Sequence, residues 1–170
     1  NTEFDENAYL DEFSNMISNM KFKGKKILEL GRSIAASCGN YITTVVDKKI
    51  NKGQNYAILD GGIHHLTYYG QSMAMKLPKC EIYPERTNKE NEKWNLCGSL
   101  CTINDILVKQ FPVGNIQIGD VFIFENTGAY CMTEGISLFL SRELPAVIKI
   151  DENKNIKLIR ENIPTYLLNM

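Results

Sequence analysis

Two cysteines and two polar residues lie close together in the segment CGSLCTINDIL, residues 97–107. Cys97 and Cys101 are separated by three residues, and Thr102 and Asp105 follow the second thiol. Two thiols at this spacing are compatible with half of a metal site, with a redox pair, or with one catalytic thiol beside a structural cysteine. The segment by itself leaves these three possibilities open.

The two histidines of the chain, His64 and His65, are adjacent. Neighbouring side chains of a strand point to opposite faces, so we expect that this pair does not converge on one metal ion. A zinc site would also need a second pair of ligands at metal spacing. We therefore predict that the chain holds no metal.

The composition indicates an ordinary soluble domain. The chain has 170 residues, of which 44% are hydrophobic and 23% charged, enough to bury one core. A net charge of -1 gives no general attraction to nucleic acid or to anionic membranes. No segment approaches the ~18 apolar residues of a membrane span. The five cysteines, odd in number and scattered, suit a reducing compartment, so we predict a cytoplasmic protein.

Residues 5–20 predict one amphipathic helix, because apolar residues recur at three- and four-residue spacing and acids are concentrated in the first turns. After Gly24, the segment ILEL (residues 27–30) predicts a short buried strand that stops at Gly31. From residue 33 onward the pattern is small, β-branched and strand-like. One helix and one strand do not make a domain, so we expect residues 1–32 to close a larger α/β domain.

The remainder predicts a mainly β domain, a barrel or sandwich spanning residues 33–170. Short apolar segments separated by Gly, Asn and Pro are the predicted strands: YAILDGG, KCEIYPE, KWNLCGSL, DVFIFENTGAY, PAVIKID and IKLIREN. TINDILVKQF, residues 102–111, predicts a helix that interrupts them, with Thr102 as its cap and Ile106, Leu107 and Phe111 facing inward.

Five short motifs in this order resemble the C-terminal part of the pyridoxal-phosphate-dependent decarboxylases of the alanine-racemase fold type (fold type III), which include the diaminopimelate, ornithine and arginine decarboxylases. The motifs are ELGRSIAASCG, ILDGGIHH, CGSLCTINDIL, IGDVFIFENTGAY and LFLSRELPAVI. The resemblance implies a β/α barrel followed by a β domain, and a head-to-tail homodimer whose active sites are shared between subunits. Residues 1–32 then correspond to the end of the barrel and residues 33–170 to the β domain.

The resemblance also implies pyridoxal 5'-phosphate as the cofactor and assigns residues to it. Glu29 is the carboxylate beside the pyridine nitrogen, whose pKa it raises. Gly31 lets the backbone approach the phosphate, and Arg32 supplies a fixed positive charge to the phosphate or to the substrate carboxylate. Tyr130, in Gly-Ala-Tyr, matches the family tyrosine that donates a hydrogen bond to the phosphate.

The family places a cysteine at the position of Cys101 that reaches into the partner subunit's active site and can donate a proton to Cα after carbon dioxide leaves. Thr102, Asp105, His64 and His65 are the residues predicted to line the substrate pocket. For the two histidines, an equal alternative is that one lies in the core and the other at the surface. No lysine of the chain lies in a recognisable Schiff-base motif, so we expect the chain alone to be inactive.

The sequence departs from the family at the substrate end. Thr102 stands where diaminopimelate and ornithine decarboxylases carry an acid that holds the distal amino group of the substrate. No arginine follows Asp60-Gly61-Gly62 in IHHLTYYGQ, and Leu140 and Leu30 replace the usual Asn and Pro. The substrate is therefore either a small diamino acid, as in lysine biosynthesis, or an amino acid tethered to a carrier protein. A non-catalytic dimerisation or binding module is the alternative from another functional class.

Overall fold

A computed structural model of the chain describes residues 5–67, 77–86 and 92–170. The described residues form two α-helices, α1 (Glu6–Asn19) and α2 (Gly31–Ala35), and eight strands. The strands are β1 (Tyr41–Asn51), β2 (Gln54–Leu59), β3 (Cys80–Tyr83), β4 (Lys93–Cys97), β5 (Ile106–Pro112), β6 (Val121–Phe124), β7 (Val147–Ile150) and β8 (Ile156–Arg160). Single 3-10 turns cover Ala36–Cys38, Phe139–Ser141 and Thr165–Leu168. The mainly β fold predicted from the sequence is confirmed.

Six strands form one curled sheet in the order β3-β6-β1-β2-β4-β5, and β7 and β8 form a separate antiparallel pair. Among the described strand pairs of this sheet, only β2 and β4 run parallel. The long strand β1 pairs with β6 over its first residues and with β2 further on, with a register shift between Val45 and Asp47. This shift lets the sheet curl, because a bulge increases the local bend and twist of a strand.

The core lies on the inner face of the curled sheet. Phe122 and Phe124 alternate with half-buried residues on β6 and are fully buried, as are Leu59 on β2 and Leu96 on β4. Full burial of one such side chain stabilises the fold by about 1.5–3 kcal/mol. The period-two alternation of apolar residues in these strands is the physical basis of the predicted β domain.

The helix predicted over residues 102–111 is wrong. Residues 106–112 form strand β5, which pairs antiparallel with β4 through Leu96 and Val108 and through Trp94 and Phe111. The pairing contains register shifts, and Gln110 has a positive φ of 53°. These irregularities bring Leu107, Val108 and Phe111 inward together, a spacing that is typical of a helix.

The predicted helix at the start of the chain is present as α1, and Asp5 caps it by accepting a hydrogen bond from the Ala8 N–H at 3.0 Å. The predicted strand ILEL is not present, because residues 27–30 are exposed and have no strand partner among the described residues. A strand needs a neighbour for its backbone hydrogen bonds, which its sequence pattern cannot supply. None of the described helices is long and apolar enough to span a membrane.

Candidate active site

Gly31, Arg32 and Tyr130, three residues predicted to contact the cofactor, lie together and form what we call the Arg32–Tyr130 cluster. The guanidinium carbon of Arg32 lies 5.0 Å from the centroid of the Tyr130 ring, within the range of a cation–π contact. The Tyr130 hydroxyl lies against Gly31, where a Cβ atom would be only 2.8 Å from the hydroxyl oxygen. A glycine at position 31 therefore leaves room for the tyrosine.

The turn after β6 orients Tyr130. Tyr130 has a φ of 62°, and its carbonyl accepts hydrogen bonds from the N–H groups of Thr133 and Glu134 at 2.8 and 2.9 Å. Arg32 is tied to the same turn, because its Nη1 donates to the Ala129 carbonyl at 3.4 Å and its Nη2 lies 3.6 Å from a carboxylate oxygen of Glu134. Tyr130 as a whole remains half exposed.

Close backbone packing holds α2 against this turn. The Gly128 N–H donates to the Ala36 carbonyl and the Thr127 N–H donates to the Gly39 carbonyl, both at 2.9 Å. A Cβ atom on Gly128 would overlap the Ala35 carbonyl oxygen, so the glycine of Gly-Ala-Tyr allows the two segments to meet. These backbone contacts hold the segment after Arg32 next to the segment before Tyr130.

Glu29 is exposed and lies in the irregular segment before α2. Its role beside a pyridine nitrogen stays a prediction. Arg32 and the Tyr130 hydroxyl supply a fixed positive charge and a hydrogen-bond donor, which suit a phosphate. The arrangement fits the phosphate end of pyridoxal phosphate.

The second group of predicted residues lies on the Cys101 loop, residues 98–105. Cys101 is exposed, and Thr102 is half buried. All five cysteines are free thiols, so Cys97 and Cys101 do not form a disulfide. Burial raises the pKa of the Cys97 thiol, which keeps it protonated. Of the two thiols, Cys101 is therefore the one available for chemistry.

Asp105 ends the Cys101 loop and is buried, with 2% of its surface exposed. One carboxylate oxygen accepts a hydrogen bond from the Ile63 N–H and the other from the Leu100 N–H, both at 2.8 Å. Burial raises the pKa of Asp105, and the two backbone hydrogen bonds oppose this effect. The structure therefore shows Asp105 bound to the backbone, and its contact with a substrate stays a prediction.

The two histidines lie in a turn, residues 62–65, which we call the histidine turn. The N–H groups of His65 and Leu66 donate to the Gly62 carbonyl at 2.9 and 3.1 Å. The expectation that the two rings point to opposite faces is wrong, because their centroids are only 3.8 Å apart. The opposite-face rule applies to an extended strand, whereas in this turn the two side chains lie side by side.

Both ring nitrogens of His65 form hydrogen bonds. Its Nε2–H donates to the Glu143 carbonyl at 2.7 Å, so its Nδ1 accepts the hydrogen bond of the Tyr41 hydroxyl at 2.9 Å. Burial lowers the pKa of His65, which favours this neutral form. By contrast, the Nδ1 of His64 is buried and has no hydrogen-bond partner in the part of the chain that the structure describes.

A cleft of about 670 Å³ opens beside the two histidines. Arg142 lines this cleft, and its Nη2 donates to the Ser99 hydroxyl at 3.0 Å, which links the cleft to the Cys101 loop. Sequence reasoning missed Tyr41, Ser99 and Arg142. Arg142 lies inside the motif LFLSRELPAVI, but no local pattern indicates that it reaches the loop.

Metal ligands do not cluster in the described residues: no group of three or more His, Cys, Asp or Glu side chains could hold an ion there. The predicted site residues instead form two groups. The first is Gly31, Arg32 and Tyr130. The second combines the Cys101 loop with the histidine turn.

Comparison with known proteins identifies the family. Residues 12–128 match the C-terminal sheet domain of the pyridoxal-dependent decarboxylases. The chain is 36% identical over 140 residues to the L-glutamyl-[BtrI acyl-carrier protein] decarboxylase of Niallia circulans, an alignment that covers 79% of this chain and 32% of the relative. It is 31% identical over 129 residues to the diaminopimelate decarboxylase of Vibrio cholerae, which covers 75% of this chain and 30% of the relative.

The fold is similar to that of a solved decarboxylase. The diaminopimelate decarboxylase of Helicobacter pylori, crystallised with L-lysine, superposes with a TM-score of 0.75 at 22% identity. The superposition covers 99% of this chain and 40% of that chain. The chain thus spans about a third of the length of the two sequence relatives. On the family match and the shared fold, this chain belongs to the pyridoxal-dependent decarboxylases, as their C-terminal sheet domain.

Proposed function

We propose that this chain is the C-terminal part of a pyridoxal-phosphate-dependent decarboxylase that removes the α-carboxylate of an amino acid as carbon dioxide. The Arg32–Tyr130 cluster carries the proposal. It presents a guanidinium, a tyrosine hydroxyl and a glycine backbone at one place, and these are the groups that a phosphate ester needs. Residues 1–32 would be the end of the β/α barrel, and residues 33–170 the β domain.

In this proposal the residues of the cluster bind and orient the cofactor. Arg32 and Tyr130 hold the phosphate, and Glu29 places its carboxylate at the pyridine nitrogen and keeps that nitrogen protonated. When bound, pyridoxal phosphate supplies an electron sink for the charge left on Cα after carbon dioxide departs. The cofactor lysine would lie outside this chain, so we expect the chain alone to release no carbon dioxide.

Cys101 would act on the partner subunit's active site in a head-to-tail homodimer. Its thiol is exposed, whereas a thiol that served its own domain's core would be buried. There it would donate a proton to Cα after carbon dioxide leaves, as a general acid. A positioned acid contributes typically about 10²–10⁴-fold to a rate, so the loss of this thiol is measurable.

Two substrate classes remain candidates. The first is a small diamino acid such as diaminopimelate, the substrate named for the relative from Vibrio cholerae. The second is an amino acid bound to a carrier protein, as named for the relative from Niallia circulans. Thr102 supports the second class, because a threonine cannot neutralise a buried ammonium group. His64 and His65, in the neutral forms that their lowered pKa values favour, would then line the distal pocket.

The test uses the full-length protein. Bound cofactor is detected by its visible absorbance, and carbon dioxide release is measured with diaminopimelate, lysine, ornithine, arginine and glutamate, the last both free and carrier-bound. Absorbance with release from diaminopimelate would identify the first class, and release only from carrier-bound glutamate would identify the second. If the protein shows no cofactor absorbance and releases no carbon dioxide, the proposal is contradicted and the non-catalytic module is favoured.

The role of the cluster is tested on the same protein with Arg32→Ala and Tyr130→Phe. Each removes one contact to a charged phosphate, worth about 1.5–3 kcal/mol, so we expect roughly ten- to a hundredfold weaker cofactor retention on dialysis. Tyr56→Phe on β2 is the matched control, since its hydroxyl donates a hydrogen bond to Gln54 at 3.3 Å and lies outside the cluster. Unchanged retention in both cluster variants would disprove the phosphate assignment.

A further inference from the structure

We propose that Asp105 is a positioning residue that determines where Cys101 lies, by joining the Cys101 loop to the histidine turn. The inference rests on the proposed role of Cys101 as proton donor. In this role Asp105 accepts hydrogen bonds from the backbone of its own domain, and one carboxylate holds both the Cys101 loop and the histidine turn. Cys101 and the histidines would thereby face a substrate as one rigid unit.

The carboxylate of Asp105 bridges two segments that are distant in the sequence. One oxygen accepts the Ile63 N–H of the histidine turn, and the other accepts the Leu100 N–H, directly before Cys101. Both distances are 2.8 Å, and Asp105 is only 2% exposed. A charge-assisted hydrogen bond to a buried carboxylate is stronger than a neutral one, so this bridge is a firm restraint on the backbone next to the thiol.

Two glycines make the space for this carboxylate. A Cβ atom on Gly62 would lie 2.6 Å from both carboxylate oxygens, and one on Gly98 would lie closer still. Asp105 is therefore enclosed between the backbones of both segments. This contact explains why Gly62 and Gly98, which have no positive φ, are glycines.

Further hydrogen bonds make the two segments one unit. The Ser99 N–H donates to the Gly61 carbonyl at 2.8 Å, and the Ser99 hydroxyl donates to the Asp60 carbonyl at 3.1 Å. The Gly98 N–H donates to the Asp105 carbonyl at 2.9 Å, which closes the base of the Cys101 loop. Cys101 lies at the exposed end of this closed loop, so a change at the base displaces the thiol.

The expected consequence is catalytic. A shift of about 1 Å in a reacting group can lower a rate about 10²-fold. Loss of the Asp105 bridge should therefore lower kcat while KM and cofactor binding change little. It should also alter the environment of the Cys101 thiol even when no substrate is present.

The test compares Asp105→Asn, Cys101→Ala and the double variant in the full-length protein. Asn has the volume of Asp but only one acceptor oxygen, and its amide would oppose one backbone N–H. We expect kcat to fall at least tenfold, with KM and cofactor absorbance changed less than twofold. In the Cys101→Ala background the same change should cost less than twofold, because residues that act through one group are not additive.

A second readout does not depend on turnover. The rate at which N-ethylmaleimide alkylates Cys101, followed by mass spectrometry of its peptide, should change more than threefold in Asp105→Asn. Asp151→Asn is the matched control, since the Asp151 carboxylate also accepts two backbone N–H groups, those of Asn153 and Asn155, both at 2.9 Å. It lies in the turn between β7 and β8, away from Cys101, and should leave kcat and the alkylation rate within twofold.

The outcomes separate the inference from the proposed function. An unchanged alkylation rate would overturn the positioning role, as would an equal loss of kcat with and without the Cys101 thiol. If Cys101→Ala itself leaves kcat unchanged, the proposed role of Cys101 fails, while altered alkylation would still support the bridge. If Asp105→Asn does not fold, Asp105→Ser, which fits between the glycines and keeps one acceptor, serves for the same measurements.

Discussion

His64 is a buried polar residue whose surroundings disfavour its charged form. It is only 2% exposed, and the Nδ1 atom of its ring lacks a hydrogen-bond partner among the described residues. Burial lowers the pKa of His64 to about 4, and the neighbouring His65 ring and then the positive charge of Arg142 add to this effect. The ring is therefore neutral near pH 7.

The lowered pKa of His64 predicts a pH dependence of stability. The unfolded chain protonates this histidine at about pH 6.5, whereas the folded chain does so near pH 4, so stability is present above pH 6.5 and is lost as the pH falls towards 4. Protonation of His64 alone should lower the free energy of unfolding by up to about 3 kcal/mol as the pH falls. Urea unfolding of the chain between pH 7.5 and pH 4 measures it.

The variant His64→Gln isolates the contribution of this residue. Gln keeps a neutral polar side chain but does not titrate, so between pH 7.5 and pH 4 its free energy of unfolding should fall less steeply than that of the unmodified chain. Parallel curves for the two proteins would show that the pKa of His64 is not lowered in the fold.

At the scale of the elements, β6 is the strand that supports the Arg32–Tyr130 cluster. It pairs with β1 and with β3, and its last residue leads into the turn that presents Tyr130. Phe122 contacts the core from the middle of this strand and is fully buried. The position of Tyr130 therefore depends on the packing of β6.

Phe122→Ala should lower the free energy of unfolding by about 3–5 kcal/mol, because it removes a large buried side chain and leaves a cavity. Ile42→Ala on the neighbouring strand is the control. Ile42 pairs with Ile123 but is 58% exposed, so its loss should cost less than about 1 kcal/mol. Urea unfolding of both variants gives the comparison, and equal losses would mean that β6 does not form the core.

At the scale of the whole molecule, the domain exposes apolar faces. None of the residues of α1 is buried. On the β7–β8 pair, Ile148 lies opposite Leu158 and Ile150 opposite Ile156, and all four side chains are at least half exposed. Such faces are typical of surfaces that another domain or subunit covers. They support the proposal of a barrel preceding this domain and of a dimer.

A shared active site predicts complementation between two inactive variants. Cys101→Ala and Arg32→Ala damage different groups, and in a head-to-tail dimer these groups serve one site from opposite subunits. In a random mixture, half of the dimers are hybrid and one of the two sites in each is intact, so about a quarter of the original activity should return. The recovered activity is measured as carbon dioxide release after the full-length variants are mixed, unfolded and refolded together.

The control is each variant treated alone in the same way, which should stay inactive. A mixture without recovered activity would contradict the sharing of sites and place Cys101 and Arg32 in the same subunit's site. Recovery beyond the value for hybrid dimers would show that one of the variants is not inactive.

The linear sequence determined the family, the mainly β fold and the identity of most strands. These features depend on local chemistry: alternating apolar residues favour strands, glycines allow close backbone contacts, and five motifs keep their order along the chain. The grouping of Gly31, Arg32 and Tyr130 also follows from motifs that match the family. Each of these motifs can be recognised in the sequence without knowledge of which residues lie nearby in space.

The tertiary structure decided what local patterns leave ambiguous. β5 has the residue spacing of a helix but is a strand, because β4 supplies its hydrogen bonds and a positive φ at Gln110 disturbs its alternation. The two histidines lie side by side because they lie in a turn, and this turn donates a backbone hydrogen bond to Asp105. Asp105 is turned inward by backbone groups of residues 63 and 100, and a hydrogen bond between distant segments leaves no periodic signal in the sequence.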